Sequence, residues 1–84
     1  MSKQQGDTCL TIRAIITKVV EGDGYIVTVP LIGQGDLTTN DSVTFSRADW
    51  QGEREPKVGQ QVELRDTTLY RKGWRASEAT PLHP

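Results

Sequence analysis

The sequence predicts a small all-β domain, a five-stranded antiparallel barrel. Three observations carry this. Short runs rich in β-branched residues recur along the chain, and such side chains fit a pleated sheet better than a helix. No segment sustains an apolar repeat of 3.6 residues, so no long helix is expected. Clusters of Gly, Asp, Asn and Pro separate the runs, as turns separate short strands. An open five-stranded meander is the alternative, but a single layer would leave one apolar face wet. At 84 residues the chain allows one domain.

The elements follow in order. Residues 1–7 are polar and are expected to form a frayed tail, with a single domain over residues 8–82. Thr8 to Val20 reads as a long strand. Leu10, Ile12, Ala14 and Ile16 alternate onto one face, whereas Ile15 and Val19 fall on the other. Such a switch predicts a bend or bulge, as when one strand serves both sides of a small barrel. Glu21-Gly22-Asp23-Gly24 is a turn, since glycine supplies positive φ at no steric cost. Tyr25 to Val29 is the second strand, stopped by Pro30. A loop from Ile32 to Asn40 leads to a third strand, Ser42 to Ser46. One helical turn is expected near Arg47-Ala48-Asp49-Trp50, within an irregular stretch that ends at Val58-Gly59. Gln61 to Tyr70 is the fourth strand, Arg71-Lys72-Gly73 a tight turn, and Trp74 to Ala79 a short fifth strand.

Composition excludes several functions. The formal net charge is −1, which rules out a strongly basic arm, so any polyanion binding must come from a local patch. The one cysteine, Cys9, forms no intrachain disulfide and no cysteine metal cluster; it reads as a small buried apolar residue. A small domain without disulfides suits a reducing cytoplasm, and the polar N-terminus lacks the apolar core of a signal peptide. The one histidine, His83, lies next to the C-terminus, so no His-based triad or metal pair is expected in the core. No cofactor is implied, and no nucleophile–base constellation points to an enzyme.

Two stretches carry a resemblance. Gly22-Asp23-Gly24-Tyr25-Ile26 resembles the Gly-aromatic-Gly-aromatic-Ile core of a first ribonucleoprotein box. Asp41, Val43, Phe45, Ser46, Ala48-Asp49-Trp50, Val58-Gly59-Gln60-Gln61-Val62-Glu63-Leu64, Lys72-Gly73, Ala76 and Pro81-Leu82 are similar, in order and spacing, to the second half of a cold-shock domain. Over residues 10–82 the chain thus resembles cold-shock domains and the RNA-binding OB domain of a small-subunit ribosomal protein. The resemblance implies a Greek-key OB-fold barrel that binds single-stranded RNA or DNA on strands 2 and 3. The chain departs from the pattern at Glu21, where Lys is usual, at Asp23 in place of the first aromatic, and at Val43 and Phe45 in the second box. Only Tyr25 and Phe45 keep stacking chemistry, so weak binding is expected.

Candidate ligand residues follow. Tyr25 reads as a surface ring positioned by the turn before it. Phe45 has two readings, barrel core or base-stacking ring. Trp50, among Asp49 and Gln51, reads as a plug over one barrel end. Trp74 sits between Gly73 and Arg75 on a hairpin, either exposed or core. Residues 1–43 carry Lys3, Arg13 and Lys18 against Asp7, Glu21, Asp23, Asp36 and Asp41, whereas residues 44–84 carry seven basic and six acidic residues. The sharpest basic cluster is Arg71-Lys72-Gly73-Trp74-Arg75. Phosphates need cations and bases stack on rings, so this hairpin is a candidate wall of a binding site. The alternative is a solvated turn whose Arg65 and Arg75 pair with Glu63 and Glu78. Arg47 and Lys18 extend the patch if they share its face. The expected function is a non-enzymatic single-stranded nucleic-acid-binding module, RNA favoured over DNA. The rival is a protein-interaction adaptor on the same fold, suggested by the acidic Glu21-Asp23 turn.

Overall fold

The computed structural model describes residues 10–22 and 24–82. The expectations for the 1–7 tail, Cys9, Asp23 and His83 lie outside the described residues. Six strands are formed: β1 (Leu10–Val20), β2 (Tyr25–Pro30), β3 (Val43–Ser46), β4 (Gln61–Tyr70), β5 (Gly73–Arg75) and β6 (Glu78–Pro81). A 3-10 turn at Arg47–Asp49 follows β3. The sheet order is β1-β2-β3-β5-β4, and β1 also pairs with β4, which closes a five-stranded, OB-fold-like barrel. β6 continues the fifth strand along β4 beyond Ala76-Ser77. The described chain contains no helix long and apolar enough to cross a membrane.

Two sequence expectations need correction. The barrel is not purely antiparallel, because β3 and β5 run parallel, with Val43 opposite Trp74 and Thr44 opposite Arg75. The cause is connectivity. β4 returns across the barrel after β3, and the tight turn at 71–72 then reverses the chain once more. That second reversal gives β5 the direction of β3, and parallel neighbours always need such a crossover. The fifth strand is also broken into β5 and β6. The break lies opposite Asp66-Thr67, where Asp66 takes a φ of 55°. Asp tolerates this left-handed conformation better than most residues. Ser77 Oγ donates to Asp66 Oδ2 at 3.3 Å across the break.

The predicted bend in β1 is present. Ile16 lies opposite Thr28 but Lys18 opposite Val27, so one extra β1 residue, Thr17, bulges there. Before the bulge Ile12, Ala14 and Ile16 face the core; after it Val19 packs against the same core. The bulge re-aims the strand. Ala14 and Ile15 then pair with β2 on one side and β4 on the other, which forms the closure seam.

The core is Ile12, Ala14, Ile16, Ile26, Leu37, Val43, Phe45, Val62, Leu64, Ala76 and Ala79. Leu37 enters it from the loop after β2, held by paired backbone bonds between Gln34 and Leu37 at 2.7 and 3.0 Å. Buried Thr28 is satisfied, its hydroxyl donating to the Val43 carbonyl at 2.9 Å. Alternation along β2 and β3 sorts the residues. Ile26, Thr28, Val43 and Phe45 point inward, which leaves Tyr25, Val27, Thr44 and Ser46 on the outer face.

Candidate functional site

The outer face of β2 and β3 forms the floor of an open cleft of about 960 Å³. Tyr25, Val27, Ser42 and Thr44 line the floor, and Val20 marks its β1 edge. The β4–β5 hairpin makes the wall with Tyr70, Arg71, Lys72, Gly73, Trp74 and Arg75. The described lining therefore includes three aromatic residues and three cations, and no carboxylate. In OB-type barrels the strand 2–3 face and the loops between strands 1–2 and 4–5 are the usual ligand walls. Here the β2–β3 face and the β4–β5 hairpin line the cleft.

Local geometry places each ring. Gly22 and Gly24 adopt φ of 93° and 73° in the β1–β2 turn, which lets the chain reverse sharply just before Tyr25. Tyr25 is 43% exposed, and the Arg75 guanidinium carbon stands 5.9 Å from its ring centroid. Arg75 begins on β5, and β3 lies between β5 and β2. Its side chain therefore reaches across β3, starting beside Thr44, its register partner there. Trp74 is half-buried and packs against the core while lining the cleft. Its carbonyl accepts a hydrogen bond from Thr44 Oγ1 at 3.4 Å, which ties β5 to β3.

Among the residues predicted from sequence, the cleft brings together Tyr25, Arg71, Lys72, Trp74 and Arg75. Phe45 is a correction. Its ring is fully buried and lies stacked on Trp50, with centroids 5.9 Å apart and planes 17° apart. The reason is register: Phe45 lies opposite inward-facing Ile26, so no base can reach its face. Arg47 also stands apart. It follows β3 and does not line the cleft, and its guanidinium is ion-paired and hydrogen-bonded to Glu55. That hydrogen bond, and the charge attraction with it, raises the Arg47 pKa and lowers that of Glu55. Lys18 lies opposite Val27 on the outer face, so it flanks the floor without lining the cleft. The alternative, cross-strand pairing of Arg65 and Arg75 with carboxylates, is not formed among the described residues; Arg65 pairs instead with Glu63 of its own strand at 3.4 Å.

Trp50 is the plug its polar neighbours suggested. It packs over the core, its Nε1 donates to the Arg54 carbonyl at 2.7 Å, and Gly52 lies flat against the indole. A Cβ at Gly52 would stand 2.6 Å from the ring, so the plug requires glycine there.

Tyr70 is the site residue that sequence reasoning missed. It is 58% exposed and lines the cleft. Simple alternation from Val62 and Leu64 would turn Tyr70 inward. One extra β4 residue between Leu64 and Thr67, relative to β1, changes the phase, and Thr67 becomes the buried position. The available signal was Arg65-Asp66, a charged pair that breaks the alternation within the strand.

Comparison of the chain with protein-family models, with curated proteins and with solved structures finds no match.

Proposed function

We propose that the protein is a non-enzymatic module that binds single-stranded nucleic acid, RNA in preference to DNA, in the cleft between the β2–β3 face and the β4–β5 hairpin. One observation carries the reading. Tyr25, Tyr70 and Trp74 share a cleft with Arg71, Lys72 and Arg75 that no carboxylate lines among the described residues. Rings take bases by stacking, worth about 1–3 kcal/mol per base, and cations hold the backbone between them. Base edges are not read by this mechanism, so sequence preference is weak. Ser42 and Thr44 add hydroxyls to the floor, groups able to bond a ribose 2′-hydroxyl. The resemblance to the cold-shock family supports the same face. With few cations and a net charge of −1, affinity is expected to be about micromolar or weaker at physiological salt.

The test is salt-dependent titration with a short single-stranded oligonucleotide. Changing Arg71 and Lys72 to Ala together lowers affinity and flattens the log–log salt slope by about 1.4, at ~0.7 per phosphate contact on single strands. The same change at Arg47 leaves the slope unaltered. A double variant with the wild-type slope contradicts this placement. Failure of the wild-type protein to bind any oligonucleotide at low salt leaves the adaptor reading in its place.

A further inference from the structure

We infer that Arg75 is a displaceable cover on the Tyr25 ring, which makes it the residue that couples base stacking to phosphate capture. This rests on the nucleic-acid reading of the cleft. The Arg75 guanidinium lies 5.9 Å from the Tyr25 centroid, within cation–π range. No carboxylate pairs with Arg75 among the described residues. Its side chain reaches across β3, because its own strand and that of Tyr25 are next-nearest neighbours. The ring that a base needs thus carries a cation when the cleft is free.

The exchange is favourable by ordinary magnitudes. A cation over an exposed ring is held two- to fivefold, to judge from cation–π strength at exposed sites (about 0.5–1 kcal/mol). Stacking of a base on such a ring is stronger, so the base displaces the guanidinium. The released cation stays tethered to β5 within the same cleft. There it meets the backbone of the strand whose base displaced it. Arg75 therefore opposes binding of an uncharged base and favours binding of a phosphate-bearing one. The pairing also calls for Arg specifically, since a planar guanidinium lies flat on a ring and an ammonium does not.

The experiment compares wild type with Arg75→Ala and Arg75→Gln, using adenosine as an uncharged probe and a short single-stranded RNA over a salt series. Arg75 is exposed, and matching circular dichroism and thermal midpoints establish that all three proteins fold alike. Both variants are expected to bind adenosine about two- to fivefold more tightly than wild type. With RNA their salt slopes are flatter by about 0.7. They bind RNA more weakly than wild type at low salt, and the lines cross as salt rises. Adenosine binding that is unchanged or weakened in both variants overturns the role of Arg75. So do RNA lines that stay parallel to wild type. Absence of RNA binding by wild type itself overturns the underlying reading of the cleft, a result distinct from either.

Discussion

Two aromatic pairs sit one step apart in the β2–β3 register and face opposite ways. Phe45, opposite Ile26, stacks on Trp50 inside the barrel; Tyr25, opposite Ser46, lies under Arg75 outside it. The separations are the same, 5.9 Å in each case, but the partners differ. The inner pair joins two rings, is sealed by Gly52 and by the indole bond to Arg54, and holds the fold. The outer pair joins a ring to a cation on an open face. A one-residue offset in a strand thus decides whether an aromatic ring serves stability or stays available to a ligand.

Loss of the Phe45 ring should weaken the fold most. Phe45→Ala removes a fully buried ring and should cost about 3–5 kcal/mol in urea denaturation. That is a large share of the ~5–10 kcal/mol expected of a chain this size. A cost below about 1 kcal/mol would mean the ring is not in the core. Tyr25→Ala should behave in the opposite manner. Its stability should stay near wild type, as for exposed positions, while oligonucleotide affinity falls by about 1–3 kcal/mol. Unfolding at the cost of Phe45→Ala would erase the distinction between the pairs.

The smallest expected effect belongs to neither pair and checks their boundary. Hydrogen bonding to Arg47 lowers the pKa of Glu55 in the folded protein. The stabilisation it gives is therefore present above the ordinary carboxylate pKa and is lost as pH falls through the lowered value. The pair is exposed and its effect is weakened by salt. Glu55→Gln should lower the thermal midpoint slightly at neutral pH and low salt, and not at all in strong acid, with oligonucleotide binding unchanged. A difference that grows as pH falls would contradict the pairing.

Much of this was legible in the sequence, for physical reasons that differ by element. The β-branched run of β1 and its face switch revealed both the strand and its bulge, because side-chain period registers local geometry. Arg71, Lys72 and Arg75 could be read as one patch because a tight turn keeps neighbours together. Alternation of Val43 and Phe45 with Thr44 and Ser46 favours the core reading of Phe45 over the stacking reading that the resemblance offers. Tyr70 was hidden because its direction depends on the pairing of β4 with β1, a contact between residues far apart in the chain. The parallel β3–β5 pairing and the reach of Arg75 across β3 are likewise properties of closure, which no local window contains.

The two tryptophans report separately on the cleft and the core, since Trp74 lines the cleft and Trp50 closes the core away from it. The measurement is the indole N–H resonances of ¹⁵N-labelled protein, titrated with a short single-stranded RNA at low salt. The cleft reading predicts that the Trp74 signal moves in a saturable, salt-sensitive manner while the Trp50 signal stays in place. Movement of Trp50 alone, or of neither signal at saturating RNA, would contradict it.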